Sequence, residues 1–227
     1  MKNTKVYLFV FSFFIFSNSI AQKNNDVKLG FNISASMIKL YGNDFINKYH
    51  KPTNSFTIGT SAEIKLSSLL SFYTGLSYEK KGSVIKGDFT FENPIPFTET
   101  KKVSIIYNYI TLPIILKTSL GKKRNFYLNT GTYLGYLLSQ KIKKVASGDV
   151  PTRNDTNLNK KMDFGLAYGF GYTKAVGSNK TLNIELRNNL GLINTSKVFV
   201  VNDGKIKTNA FLLLMEYSFN ISKKGKK

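Results

Sequence analysis

The feature that most constrains the fold of this chain is a strict alternation of large apolar residues with small or polar ones. It is clearest from Met162 to Tyr172, where apolar and aromatic side chains occupy the even positions, and Asp163, Ala167 and three glycines occupy the odd ones. A period of two residues places the two sets on opposite faces of a β-strand. This segment therefore predicts a strand with one large apolar face and one narrow face.

The same alternation recurs along the chain and predicts eight strands in total. The segment around Pro113 is the least regular, because Ile115 interrupts its second face and a proline fits a strand only at an edge or a bulge. Besides the strand described above, the predicted strands are Val27–Met37, Phe56–Leu66, Phe72–Glu79, Val103–Leu120, Asn125–Ser139, Leu182–Arg187 and Phe211–Phe219.

The connections between these strands alternate in length. Three of the seven connections are short, at Ser67–Leu70, Gly121–Arg124 and Gly177–Lys180, and the other four are long. Bacterial outer-membrane barrels have short periplasmic turns, longer extracellular loops and an even number of strands. Lipid offers no hydrogen-bond partner to a strand edge, so such a sheet must close. We therefore predict an all-β, closed antiparallel transmembrane barrel of about eight strands, whose interior is filled by side chains.

The first residues resemble an export signal. Lys2 and Lys5 precede the apolar run Val6–Phe16, and Ser19-Ile20-Ala21 forms a small-x-small cleavage pattern. The run is too short to cross a bilayer of about 30 Å as a helix. These features predict a signal peptide over residues 1–21, cleaved after Ala21, and an outer-membrane β-barrel domain over residues 22–227.

The chain offers few groups for catalysis or metal binding. It contains no cysteine and a single histidine, His50, which falls in the first predicted external loop, Lys39–Thr53, where a solvated side chain is expected. Zinc sites gather several histidine or cysteine ligands, and a catalytic base must be held against its nucleophile. We therefore expect no catalytic residue, no metal and no cofactor.

Two other functional classes stay open. Some small outer-membrane barrels are lipid-modifying enzymes that use a serine, a histidine and an acid, and serine or glutamate side chains near His50 could complete such a group. A soluble periplasmic lipocalin-like binder is the third class, and it would be extracted by salt washing without detergent.

Several ionisable residues fall on the predicted inward faces. Ionisable groups at membrane depth indicate either a proton or ion path or a plug of paired charges that fills a narrow barrel, and we favour the plug. The possible basic partners include Lys28, Lys65 and Lys117. The candidate lumen charge network is Glu63, Glu79, Asp163, Glu185, Arg187 and Glu216.

The net charge of +20 favours anionic partners. An exported chain rarely meets nucleic acid, so we expect no nucleic-acid partner. The phosphates of outer-membrane lipopolysaccharide fit better, although ordinary solubilising charge explains the same lysines equally well. The candidate anionic-ligand loops contain Lys101, Lys102, Lys141, Lys143, Lys144, Lys160 and Lys161.

The stretch Tyr109–Lys117 reads tyrosine, apolar, x, apolar, proline, three apolar residues and lysine. With Gly30–Ser34 and Gly75–Tyr78, it resembles the PorT-like outer-membrane β-barrel family of Bacteroidota over nearly the whole mature chain. Thr111 departs from the acidic residue frequent in that family. The resemblance implies an outer-membrane barrel, and the family's named member is associated with a secretion system that exports surface proteins.

Together these features favour a non-enzymatic integral protein of the cell outer membrane. Its basic external loops would contact lipopolysaccharide or partner proteins, and it would support protein secretion or envelope assembly.

Overall fold

The computed structural model describes residues 26–87, 101–144, 153–200 and 204–221. Eight long strands account for most of these residues, and the predicted signal peptide, 1–21, lies outside them. The strands are β1 (Val27–Tyr41), β2 (Thr53–Lys65), β3 (Leu70–Gly87), β4 (Lys101–Leu120), β5 (Phe126–Lys144), β6 (Met162–Ala175), β7 (Lys180–Gly191) and β8 (Lys207–Asn220).

The eight strands form one closed antiparallel barrel. Each strand pairs with its neighbours along the chain, and β1 closes the circle by pairing with β8 from Lys28–Asn220 to Tyr41–Lys207. A closed barrel leaves no unpaired strand edge, which is the condition for a sheet in lipid. The predicted fold class is therefore confirmed.

The two faces of the strands differ as the alternation predicts. On β1, the outward-facing Phe31 and Ile33 are 62% and 56% exposed, whereas the inward-facing Asn32 and Ser34 are buried. The same contrast runs around the barrel, with an apolar outer wall and a polar interior. A water-soluble protein has the opposite arrangement, with apolar residues inside and polar ones outside. An apolar outer wall around a polar interior is typical of a transmembrane barrel.

Pro113 causes a local irregularity in β4. Its missing N–H group interrupts the ladder, and the pairing of β3 with β4 passes from Thr74–Ile114 directly to Ser77–Thr111. Ile115, which interrupts the apolar pattern in the sequence, points into the barrel and is 1% exposed. The irregular residue of the sequence is therefore part of the interior packing.

The barrel has two different ends. The connections 66–69, 121–125 and 176–179 lie at one end of the barrel, the turn end, and the described residues 42–52, 153–161, 192–200 and 204–206 lie at the other, the loop end. At the loop end the strands run beyond their predicted limits. A short helix, α1 (Asp44–Tyr49), begins there after Asn43, whose Oδ1 accepts a hydrogen bond from the Ile46 N–H at 3.1 Å.

Within the ranges that the structure describes, no helix combines the length and the apolar character needed to cross a membrane.

Candidate functional site

The lumen contains an ion pair near the turn end. Lys117 of β4 places its Nζ 2.8 Å from Oε2 of Glu63 on β2, and the same ammonium lies 4.0 Å from the centre of the Tyr127 ring. Both charged side chains are almost fully buried. The pair therefore joins two strands that are not neighbours, across the interior of the barrel.

A second group of charges lies beside this pair. Arg187 donates two hydrogen bonds to Glu185, at 2.6 and 3.1 Å, and Tyr127 donates to the same carboxylate at 3.1 Å. Glu216 accepts hydrogen bonds from Tyr73 and Asn183, both at 2.8 Å. Carboxylate, guanidinium, phenol and amide groups thus form a connected layer.

A third group lies nearer the loop end and is centred on Asp163. Its Oδ2 accepts from Lys81 Nζ at 2.9 Å, from Thr208 at 2.8 Å and from Tyr133 at 3.1 Å. The side chains of Lys81 and Asp163 are both fully buried. The buried Glu79 accepts two hydrogen bonds from Asn189, at 3.2 and 3.3 Å.

The structure thus places all six residues of the candidate lumen network inside the barrel. It brings Glu185 and Arg187 together directly and gives the other acids different partners. Lys117 forms an ion pair with a lumen acid, as predicted. Lys65 does not pair with a lumen acid, because it lies at the end of β2 with its side chain 49% exposed and pairs with Asp26 at 3.6 Å.

Lys81 is a charged lumen residue that sequence reasoning missed. The predicted strand ended at Glu79, but β3 continues, and Lys81 is the next inward position in the same alternation. Extending that period by two residues would have found it. Within the described ranges, no group of three or more acidic or histidine side chains is arranged to hold a metal ion.

The basic residues assigned to loops are divided between strands and loops. Lys141 and Lys143 are exposed on β5, and Lys101, Lys102 and Lys144 belong to the paired ends of β4 and β5, with side chains outside the described set. The loop assignment of these five was wrong, because the β3–β4 ladder continues as far as Gly87–Lys101 and the β4–β5 ladder as far as Val103–Lys144. Lys160 and Lys161 are exposed just before β6.

Lys160 lines a cleft at the loop end with Lys197 and Lys205, and we call it the lysine cleft. Its volume is about 490 Å³, and Phe199 on its wall is 78% exposed. Backbone hydrogen bonds hold its two sides together, from Lys160 N to Thr195 O at 2.7 Å and from Lys197 N to Leu158 O at 3.0 Å. The cleft is therefore a formed concave surface with three exposed cations.

His50 occupies a different environment from the solvated loop expected for it. It follows α1, pairs with Ile85 of β3 and is 5% exposed. Its Nδ1 lies 2.6 Å from the buried Ser83 Oγ. The prediction of a solvated histidine was wrong, because the connection 42–52 folds back against the barrel. Burial, assisted by the positive charge of Lys39, lowers the pKa of His50 from 6.5 to about 4.

We expect the His50 ring signal in an NMR titration to move near pH 4 in the folded protein and near pH 6.5 in the urea-unfolded chain. Between these values the unfolded chain binds more protons, so the contribution of His50 to stability is complete above pH 6.5 and is lost as the pH falls towards 4. His50 is the single histidine, so the signal needs no assignment. A folded-state midpoint near 6.5 would contradict the buried position.

Comparison with known proteins supports the same architecture. The family model described as "Outer membrane protein beta-barrel domain" matches residues 20–197. The comparison with curated proteins returned no match.

Among solved structures, Ail of Yersinia pestis is 12% identical and has a TM-score of 0.40, over 85% of this chain and 98% of that one. Neisserial surface protein A is 13% identical with a TM-score of 0.40, over 85% and 97%. OprG of Pseudomonas aeruginosa is 12% identical with a TM-score of 0.43, over 86% and 95%. The family model spans most of the chain, and the chain therefore belongs to the family of outer membrane proteins that share this β-barrel domain.

Proposed function

We propose that this outer-membrane barrel is not an enzyme and acts by binding anionic groups at its loop end, on surface glycolipid or on a partner protein. The observation that carries the proposal is the lysine cleft, where three exposed cations surround a concave surface beside the exposed Phe199. An anionic group is attracted by this charge, and an apolar part of the same ligand can contact the phenyl ring. The loop end would face the outside of the cell, as longer loops do in bacterial barrels.

The packing of the lumen supports a binding role over a transport role. Tyr109, Tyr133 and Leu137 are fully buried in the interior, and Lys81 of the pair with Asp163 lies against the rings of Tyr109 and Tyr133. Nearer the turn end, Lys117 of the pair with Glu63 lies against the ring of Tyr127. In the described part of the barrel, side chains fill the cross-section as expected for eight strands. The exposed surface at the loop end is therefore the favoured place for contact with other molecules.

The test is binding of dextran sulfate to the full chain in detergent micelles at low salt, with neutral dextran as reference. The triple variant Lys160→Gln, Lys197→Gln, Lys205→Gln is expected to bind dextran sulfate roughly tenfold more weakly, on the scale of up to 1 kcal/mol for each exposed charge contact. Added salt should weaken the wild-type complex, because these charges are exposed.

A matched control removes the same number of charges from the opposite end. Lys122, Lys123 and Lys180 are exposed at the turn end, and their replacement by glutamine lowers the net charge equally. This control should bind dextran sulfate like the wild type. Equal losses in both triple variants would show that net charge alone attracts the polymer and would remove the cleft from the proposal.

Membership of a secretion or envelope-assembly machine is the narrower form of this proposal. It rests on the resemblance of Tyr109–Lys117 to the PorT-like family. Deleting the gene and measuring the export of surface proteins tests it. If the triple lysine-cleft variant restores export in the deletion strain, export does not depend on anion binding at the cleft. Unchanged export after deletion would remove the secretion role.

Lipid modification is the alternative that one contact favours, since His50 and Ser83 form the pair of groups that such an enzyme uses. Both side chains are buried, which restricts the access of a substrate to them. Mass spectrometry of lipid from the wild type, the gene deletion and the His50→Ala variant tests for this activity. Identical spectra exclude the enzyme.

A further inference from the structure

A groove with a volume of about 690 Å³ crosses the outer wall of the barrel, apart from both the lumen and the lysine cleft. On β6, the outward-facing Tyr168 and Phe170 flank the inward-facing Gly169, and the same pattern holds on the other strands. The floor of the groove is therefore strand backbone. Its principal side chains are Ala35, Met37, Tyr168, Phe170, Leu186 and Phe211.

The groove is concave because short residues lie among long ones. Ala35 pairs with Phe56 on one side and with Leu213 on the other. Asn188, on β7, pairs with Tyr168 and Phe211. The aromatic side chains thus stand beside two positions with small side chains, and a hydrocarbon chain can lie between them.

Asn188 is a polar residue in this apolar wall. It faces outward by the alternation of β7, yet it is only 4% exposed. Its Nδ2 donates to Asn209 Oδ1 at 2.7 Å and to the Ala210 carbonyl oxygen at 3.3 Å. Its buried Oδ1 accepts no hydrogen bond within the described part of the chain. The amide is therefore held down against the neighbouring strand, and Asn188 adds depth to the groove rather than an accessible polar group.

Two lysines lie at the loop-end limit of the groove. Lys39 follows Met37 at the next outward position of β1, between the inward-facing Ile38 and Leu40. Lys207 faces outward on β8, with its Nζ 5.7 Å from the centre of the Tyr41 ring. The strand register pairs Lys39 with Asn209 and Tyr41 with Lys207, so the two lysines are diagonal neighbours on the outer wall.

We propose that this groove binds one membrane lipid that carries an anionic phosphate headgroup. The acyl chain lies against Ala35 and Phe211, and the phosphate lies between Lys39 and Lys207. Any lipid can cover an apolar wall, but the two lysines add a preference for a headgroup with a net negative charge over a zwitterionic one. This site is separate from the lysine cleft, so either proposal can fail alone.

The test is native mass spectrometry of the full chain, released from micelles that contain equal amounts of phosphatidylglycerol and phosphatidylcholine. Wild type is expected to retain one phosphatidylglycerol and to prefer it about tenfold. Lys39→Gln with Lys207→Gln should remove this preference. Ala35→Phe fills the groove and should prevent retention of either lipid.

Two controls carry the same substitutions elsewhere on the outer wall. Ala62→Phe changes an outward alanine of β2, and Lys141→Gln with Lys143→Gln removes two exposed lysines of β5. Both controls should retain phosphatidylglycerol like the wild type, and a heat-dependent gel shift shows which variants are folded. Equal retention of the two lipids by the wild type, or retention by Ala35→Phe at the level of Ala62→Phe, would overturn the proposal.

Discussion

Replacing Lys81 with methionine is expected to lower the free energy of unfolding of the barrel by about 3–5 kcal/mol. The variant keeps the length of the side chain but removes the ammonium that lies 2.9 Å from Asp163 and 3.8 Å from the centre of the Tyr133 ring. Asp163 is fully buried and would lose its cationic partner, and an unpaired buried charge is strongly destabilising. Urea unfolding in detergent micelles, followed on a denaturing gel without boiling, measures the loss.

Two further variants separate the buried charge from other effects. Lys81→Met with Asp163→Asn removes both charges while Tyr133 and Thr208 can still donate to the amide oxygen, so most of the stability should return. Lys65→Met breaks the exposed pair with Asp26 and should cost about 0–1 kcal/mol. If Lys81→Met lowered the free energy of unfolding no more than Lys65→Met does, the buried Lys81–Asp163 pair would not contribute to stability.

Replacing Ile33 with arginine is expected to lower the free energy of unfolding in lipid vesicles by about 2–4 kcal/mol. Ile33 lies near the middle of β1, faces outward and is 56% exposed on the outer wall. In a bilayer this position meets hydrocarbon, where a charge is costly. In water the same position would tolerate arginine, so the variant also distinguishes a transmembrane barrel from a soluble lipocalin-like binder.

The control for this prediction is a residue on the same face of β1 that lies nearer the membrane interface. Val27 begins β1 at the turn end and faces the same way as Ile33. Arginine at Val27 should cost about 0–1 kcal/mol, because the penalty falls towards the membrane interface. Equal and small costs at both positions would contradict the transmembrane placement of the barrel.

The strands could be predicted from the sequence because the two faces meet different surroundings. Where β1 crosses the apolar band, Phe31 alternates with polar neighbours, and a period of two is visible. At the loop end the contrast fades, since outward positions there carry lysines such as Lys80 and Lys141. The predicted limits of β3, β4 and β5 were therefore too short, and Lys81 was missed.

The contacts inside the barrel could not be predicted in the same way. Glu63 and Lys117 meet across the lumen from β2 and β4, which are not adjacent in the sheet. The alternation says that both side chains point inward, but their meeting depends on the relative shift of strands around the whole circle. The burial of His50 likewise depends on how the connection 42–52 folds back, for which its sequence carries no periodic signal.

The pairing of β1 with β8 has a consequence for biogenesis. The residue pair Lys28–Asn220 joins the two ends of the strand series, so the circle cannot close until the last strand has been synthesised and delivered. Contacts of such high sequence separation form slowly, because the loop-closure entropy is lost before they are made. Until then the apolar outer wall has no lipid around it. An unclosed chain with such a wall is prone to aggregate in water, so the exposure of its apolar residues before closure is the vulnerable stage of its folding.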